Sequence, residues 1–262
     1  ATATNISSCP RLIWHQVNNP SKLRHPDYYL SLKFNEGNEQ EDIMTNIIES
    51  NISGAMVAER NVKTLEGYIG RHRVRCRPDG LLYDPDNDKN LMPVIEFKSM
   101  DESNFLRFMN RGIKESHPYY YDQLQVTMHV SRSHFNRVSI PYGILFAKLR
   151  GSEVDVWDEE VEYDRGYIDT LEEILDERDL MLGSSEPPER PTASNSTNCL
   201  NCSGFNACWS PDNVQVGKKK VDWEDSIVKL LKSLGNEWLS IDDQEGDLKA
   251  RKQDIRRVLE AL

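Results

Sequence analysis

The sequence of 262 residues lacks the features of a membrane or secreted protein. It contains no run of about 18 apolar residues, which a membrane-spanning helix would need. Its N-terminal segment, Ala1-Thr2-Ala3-Thr4-Asn5, lacks the basic and then apolar parts of a signal peptide. We therefore expect a soluble, intracellular and cytoplasmic protein with no membrane partner. The hydrophobic content of 38% is enough for one main domain with an appendage.

The sequence also lacks the positive charge that is typical of proteins that bind nucleic acid, because its formal net charge is -11. The acidity is concentrated between Gly151 and Arg190, where fifteen acids and three bases give -12. The rest of the chain is close to neutral, so a nucleic-acid partner is not excluded. Five apolar residues in the acidic segment predict an amphipathic helix that ends near Gly183, namely Tyr167, Leu171, Ile174, Leu175 and Leu182.

The order of predicted elements indicates a mixed central sheet flanked by helices, of the α/β (α+β) class. A first helix is expected to begin at Pro10, with Ser7 or Ser8 as its cap. Two further helices are expected over 38–49 and 118–130. Strands are expected near 55–63, 67–77, 91–99, 139–148 and 153–157, with a turn at 84–88. Residues 184–198 are rich in Ser, Pro, Thr and Asn and predict a linker.

Two acidic residues and a lysine lie on or directly after two neighbouring strands of this predicted sheet. Arg77-Pro78-Asp79-Gly80 ends one strand, and Val94-Ile95-Glu96-Phe97-Lys98 forms the next. Because side chains alternate along a strand, Glu96 and Lys98 share one face, while Ile95 and Phe97 face the core. Two carboxylates suit Mg²⁺ or Mn²⁺, and the lysine could orient or deprotonate an attacking water. The pattern indicates hydrolysis of phosphodiesters.

A basic row precedes Asp79 in the sequence. Arginines occupy positions 71, 73, 75 and 77, alternating with His72, Val74 and Cys76. One interpretation is contact with phosphates near the site. The alternative is a solvated strand whose arginines pair with the acidic helix.

Three of the five cysteines have the spacing of metal ligands. Cys199, Cys202 and Cys208 form a C-x2-C-x5-C pattern, and Cys9, at a predicted helix start, is the best fourth ligand. Cys76 is expected to pack as a small hydrophobe. Disulfides are not expected in a chain without secretion signals. The spacing leaves zinc and iron–sulfur open, because both accept four thiolates.

The two motifs together resemble the RecB-like iron–sulfur nucleases with a PD-(D/E)xK core, over about residues 7 to 210. That group includes AddB-type helicase-nuclease subunits and CRISPR-associated spacer-acquisition exonucleases, while lambda-type phage exonucleases share the core without the cluster. The resemblance implies a restriction-endonuclease-like core over 1–183. It also implies that the linker and cysteine segment over 184–217 closes onto the N-terminus. Beyond this segment, the sequence pattern predicts a helical tail over 218–262. The implied cofactor is a [4Fe-4S] cluster on Cys9, Cys199, Cys202 and Cys208, with structural Zn²⁺ as the alternative.

The resemblance also implies roles for residues of the core. Asp79 and Glu96 match metal ligands, with the Phe97 carbonyl as an additional one, and Lys98 matches the catalytic lysine. The family usually has a histidine after a glycine in the preceding helix, but Gly37-Asn38-Glu39-Gln40-Glu41 offers none. Glu41 is the expected substitute, as a metal ligand and catalytic residue.

A second family motif, a glutamine followed four residues later by tyrosine, is matched only in part. Gln123 aligns with the glutamine, but Thr127 stands at the tyrosine position. Gln123 would orient the nucleophile or a phosphate, and Tyr120 would help to hold the strand, although both could instead be surface or packing residues. The predicted DNA contacts are Tyr120, Gln123, Gln125, Arg75 and Arg77.

The resemblance implies a Mg²⁺- or Mn²⁺-dependent DNA exonuclease of recombination, repair or phage DNA processing, encoded by a phage, a bacterium or an archaeon. One alternative is a CRISPR-adaptation nuclease that works in a complex. Another is a DNA-binding assembly factor with a nuclease fold. The apolar spacing in 218–262 predicts a surface for a protein partner or for homo-oligomers.

Overall fold

The computed structural model describes residues 1–24, 28–60, 64–84, 91–152, 154–190, 199 and 202–209, with only the backbone for 28–36 and 38. The chain divides into two compact units, Ala1–Val214 and Gln215–Leu262. The second unit, and with it the predicted tail, lies outside the described residues. In the described part of the chain, no helix combines the length and the apolar character needed to cross a membrane.

A five-stranded mixed sheet forms the centre of the first unit, in the order β1-β4-β5-β6-β7. Its one parallel pair is β5 with β6, and the other neighbours are antiparallel. A parallel pair needs a long crossover, and two helices between β5 and β6 supply it. The strands of this sheet are β1 (Met56–Ala58), β4 (Gly80–Tyr83), β5 (Val94–Met100), β6 (Tyr142–Leu149) and β7 (Val156–Glu162).

Helices cover both faces of the sheet, which makes its central strands buried on both sides. On one face, Met44 and Ile48 of the second helix pack with Ile95 and Phe97. On the other face, Leu124 and Met128 pack with Val94, Met100 and β6. The helices are α1 (Pro10–Asn18), α2 (Tyr28–Asn51), α3 (Glu102–Ser116), α4 (Pro118–His134), α5 (Arg165–Leu182) and the short α6 (Phe205–Cys208), with 3-10 turns at Ala3–Asn5 and Pro20–Lys22.

A separate hairpin of β2 (Leu65–Ile69) and β3 (His72–Cys76) packs against α4 and α5. Its inner face buries Ile69 and Val74 against Val130 and Leu171. Gly67 permits this close contact, because a Cβ at that position would lie 3.1 Å from the Val130 side chain. The α4 helix is therefore held between the hairpin and the main sheet.

The structure confirms the mixed sheet flanked by helices and the acidic helix, which is capped by Gly183. It corrects several boundaries. The predicted strand 67–77 is two strands, because Gly70 turns the chain with a φ of 54°. The helix over 38–49 begins earlier and is α2, while α3 and β4 were not predicted. The N-cap of α1 is Cys9, not Ser7 or Ser8.

Candidate functional site

The pairing of β4 with β5 brings Asp79, Glu96 and Lys98 together, as their spacing predicts. Gly80 lies opposite Ile95, so Asp79 stands beside the middle of β5. One oxygen of Asp79, Oδ2, accepts a hydrogen bond from the Phe97 N–H at 2.8 Å. The Lys98 ammonium donates to Oε1 of Glu96. A buried acid, a half-buried acid and a half-buried lysine thus meet beside the middle of β5.

Side chains of helix α4 contact this site. The Gln123 amide Nε2 donates to the same Glu96 oxygen at 2.5 Å, and the Gln123 carbonyl accepts from the Thr127 hydroxyl. Lys98 Nζ also lies 4.8 Å from the centre of the Tyr120 ring, within the range of a cation–π contact. Two predicted site residues of α4, Gln123 and Tyr120, therefore contact the catalytic candidates of β5.

Burial dominates the electrostatics of the site. Glu96 is 1% exposed. Burial, together with the nearby Asp79 and Glu41 charges, raises the pKa of Glu96 to about 7, although the Lys98 charge acts to lower it. Burial likewise raises the pKa of Asp79. Burial acts to lower the pKa of Lys98, but the Glu96 and Asp79 charges outweigh it, so the net direction is upward. Lys98 is consequently an ammonium ion at neutral pH.

Glu41 of α2 belongs to the same electrostatic cluster. Burial raises the pKa of Glu41, with a further contribution from Asp79, while Arg77, Lys98 and Arg60 act in the opposite direction. Arg60 follows β1 and forms an ion pair with Asp42. No sequence motif marks Arg60, because its position depends on how β1 packs beside α2. The site thus includes one arginine that the sequence does not indicate.

The side chains suit a hard divalent cation in one specific respect. Among the residues that the structure describes, none donates a hydrogen bond to the second, buried oxygen of Glu96, Oε2. A buried carboxylate oxygen without a partner is costly, and an oxygen-binding cation such as Mg²⁺ or Mn²⁺ would satisfy it. Within the described ranges, no three acids, histidines or cysteines are already placed to hold a metal ion.

Two predicted DNA contacts lie away from this cluster. Gln125 is 0% exposed. Its amide donates to the Glu162 carbonyl at 2.7 Å and its oxygen accepts from the Asp164 N–H at 3.0 Å, which joins α4 to the β7–α5 connection. The structure therefore assigns Gln125 a structural role in place of the predicted DNA contact. Arg75 is solvent-accessible but is paired with Glu66 on the hairpin.

Cys9 and Cys202, two of the predicted cluster ligands, lie where α1 contacts the loop before α6. Gly204 lies against α1, where a Cβ would come within 2.8 Å of the Leu12 side chain. The Gly204 N–H donates to Cys202 Sγ at 3.3 Å. Arg24 fixes the loop through the Ser203 and Cys202 carbonyls, at 2.8 Å and 2.7 Å.

The segment after α5 also packs here. Trp14 Nε1 donates to the Ser184 carbonyl at 3.1 Å, and Arg11 donates to the Pro188 carbonyl. Arg190 donates to the Cys208 carbonyl at 2.8 Å. The first part of the predicted linker is therefore ordered against α1 and α6.

The thiols of this region influence one another's pKa values. Burial raises the pKa of Cys202, and the nearby Cys9 and Cys199 raise it further. Burial raises the pKa of Cys208 as well, again with Cys202 and Cys9 contributing, while Arg11 acts against the shift. Cys9, near the start of the chain, is therefore close enough to Cys202 and Cys208 to influence their pKa values. By contrast, Cys76 packs in the hairpin core as predicted, and burial raises its pKa to about 12.

Comparison with known proteins gives distant structural similarities. No family model and no curated protein sequence matches the chain. A solved structure named SSO0001 is 19% identical, with a TM-score of 0.45, over 82% of this chain and 86% of that chain. An alkaline exonuclease from Laribacter hongkongensis, LHK-Exo, is 14% identical, with a TM-score of 0.49, over 70% of this chain and 87% of that chain.

Proposed function

We propose that this protein is a metal-dependent deoxyribonuclease that hydrolyses phosphodiester bonds. The observation that carries the proposal is the buried Glu96 carboxylate, which has one oxygen without a donor and lies beside Asp79 and the Lys98 ammonium. A fold does not retain such a costly group for stability, because an apolar or hydrogen-bonded residue would be more stable there. Strained polar clusters of this kind are typical of active sites.

Asp79 and Glu96 are the proposed ligands of one Mg²⁺ or Mn²⁺ ion, with the Phe97 carbonyl and Glu41 as further predicted ligands. When bound, such an ion polarises a phosphoryl oxygen and lowers the pKa of a bound water. Gln123 holds the Glu96 carboxylate from α4 through its amide. Arg77 and Arg60 offset the charge of Glu41 in the same cluster.

Lys98 acts as a cation in this proposal. The charges of Glu96 and Asp79 keep it protonated, so at neutral pH it does not serve as the base that deprotonates water. Instead it donates hydrogen bonds and offsets the negative charge that develops on the phosphorane-like transition state. Of the two predicted roles for this lysine, the electrostatics favour orientation of the nucleophile over proton abstraction.

The test is cleavage of end-labelled linear DNA and of circular DNA in parallel, with Mg²⁺, Mn²⁺ or a chelator. The proposal predicts cleavage of linear DNA that requires the metal ion. Loss of linear DNA alone supports an exonuclease, which is the finer assignment that the family resemblance implies. Cleavage of the circle establishes an endonuclease instead, and cleavage of neither substrate contradicts the proposal.

We further propose a [4Fe-4S] cluster on Cys9, Cys199, Cys202 and Cys208. The proposal is supported by the close approach of the Cys202–Cys208 loop to α1 at Gly204 and Leu12, by the influence of Cys9 on the pKa values of Cys202 and Cys208, and by the N–H donor at Cys202 Sγ. A bound cluster would take up all four thiolates and covalently join α1 to the α6 loop. Its proposed role is structural, since these cysteines lie at the contact between the two ends of the described chain.

A further inference from the structure

The outer face of β3 carries a row of arginines that begins at the site. Arg73 and Arg75 are exposed on this strand, whereas His72, Val74 and Cys76 face the core. Side chains two residues apart on a strand are about 6.7 Å apart, and Arg77 continues the alternation. Arg77 is close enough to influence the pKa values of both Glu41 and Asp79. The row therefore leads from the proposed catalytic site along the hairpin.

The far end of this row opens into a cleft of about 570 Å³. That volume falls within the range of ligand sites. Four arginines line the cleft, three of them at positions 71, 73 and 75, and the fourth is Arg178 of α5. Arg178 is buried and donates to the Asn5 and Ile6 carbonyls.

Two acids near the cleft, Asp176 and Asp179, already form ion pairs with the hairpin. Asp176 accepts from Arg71 at 2.8 Å and from His72 at 2.9 Å, and Asp179, which lines the cleft, lies 3.3 Å from the other His72 nitrogen. Both carboxylates belong to α5, and their ion pairs hold the hairpin against this helix. Of the row, Arg73 and Arg75 both pair with Glu66 of β2.

Glu66 is placed as a phosphate group would be. One of its oxygens accepts from Arg73 and the other accepts from Arg75 Nε at 2.8 Å. A single anion thus bridges two neighbouring guanidiniums through separate oxygens, which is the arrangement that a phosphodiester offers to arginine. Exposed ion pairs are weak, so a phosphate can displace this carboxylate at little cost.

We infer that the β3 arginines form a track for the phosphodiester backbone of a DNA strand, running from Asp79 into the arginine-lined cleft, and that Glu66 occupies the track when DNA is absent. This inference rests on the proposed deoxyribonuclease function and extends it. The spacing of the arginines is comparable with one nucleotide step of an extended strand. The contact is to phosphates, so the track holds the strand in position without reading its sequence.

The test measures the affinity of a fluorescent single-stranded oligonucleotide in chelator, where the proposed cleavage does not occur. Glu66→Gln keeps the shape of the side chain and frees both arginines, so it should tighten binding about two- to fivefold. The control is Glu115→Gln, which also removes an exposed acid from an ion pair with an arginine, Arg111, elsewhere on the fold. Equal affinities of these two variants would overturn the inference, because general charge would then explain the change.

A second pair of variants tests the arginines themselves. The double variant Arg73→Gln with Arg75→Gln should lower the dependence of log affinity on log salt by about 1.4, since each single-strand phosphate contact contributes about 0.7. Its control is Arg111→Gln with Arg165→Gln, two exposed arginines that pair with acids on their own helices. A salt dependence equal to that of the control would also overturn the inference. All four positions are exposed, so thermal melting should confirm that every variant folds.

Hydrolysis of bis(p-nitrophenyl) phosphate separates this inference from the proposed function. This small diester reaches the metal site but is too short for the track, so the Glu66 and arginine variants should cleave it at the wild-type rate. If the wild type cleaves neither the small diester nor DNA, the proposed function fails. If the wild type cleaves both and the track variants behave like their controls, the track alone is wrong.

Discussion

Glu96→Gln should change how the stability of the metal-free protein depends on pH. A carboxyl whose folded pKa is raised binds more protons in the folded state than in the unfolded state. Its contribution to stability is therefore fully present below its unfolded pKa and is lost as the pH rises through the folded pKa. For Glu96 this interval runs from its ordinary value of 4.5 to about 7.

The magnitude follows from the same interval. At about 1.4 kcal/mol per pH unit, burial of the ionised Glu96 costs about 3 kcal/mol once the pH exceeds the folded pKa. Glutamine cannot ionise, so the variant should lose about 3 kcal/mol less than the wild type between about pH 4 and about pH 8. Lys98 stays charged over this interval, and Asp79 contributes a similar loss to both proteins.

The assay is urea unfolding in chelator at several pH values, since the free energy of unfolding is linear in denaturant concentration. The exposed Glu115→Gln variant is the control and should follow the wild type. If the wild type and Glu96→Gln lost stability in parallel, the carboxyl would not be buried in ionised form, and the argument for a costly active-site group would be refuted.

The same two proteins should respond differently to Mn²⁺ at neutral pH. A cation held at 100 times its dissociation constant stabilises the folded state by about 2.7 kcal/mol. For a domain of this size that corresponds to a rise in melting temperature of roughly 5–10 °C in the wild type. Glu96→Gln should show a much smaller rise, because one proposed ligand is lost. An equal rise in both proteins would place the bound cation elsewhere.

Two further predictions concern packing and the cysteines. Cys202→Ala, purified without oxygen, should lose iron, visible absorbance and thermal stability, whereas Cys76→Ala should keep the iron and the colour; a colourless wild type loaded with zinc would reject the iron–sulfur proposal. Gly143→Ala should destabilise the fold by about 1–3 kcal/mol in urea unfolding, because the added Cβ would lie 2.7 Å from the Leu124 side chain; a stability equal to that of the wild type would contradict the close packing of α4 on β6.

The central part of the site could be predicted from the sequence because it depends on local rules. Glu96 and Lys98 share a face through the alternation of one strand, and Asp79 reaches them through the neighbouring strand. The structure adds that this face lies under α4 and away from solvent, because β5 is a central strand covered on both sides.

Other features depend on tertiary packing that short patterns do not encode. Gln123 and Gln125 are two residues apart on a helix, and such positions point about 200° apart. Only one of them can face the site, and Gln123 does so while Gln125 is bonded to the β7–α5 connection. The turn at Gly70 was missed because alternation continues on both sides of it. Arg60 joins the cluster through the approach of β1 to α2, which no motif marks.

The central claim is tested most directly by the rate of metal-dependent DNA cleavage by Lys98→Met compared with Lys148→Met. Lys148 is a strand lysine too, but it lies on β6, is buried and donates to the Ser152 carbonyl. Removal of a group that stabilises transition-state charge should lower the rate of Lys98→Met by about 100-fold or more. Lys148→Met, which removes a lysine outside the site, should cleave at close to the wild-type rate. Equal rates for the two folded variants would contradict the account.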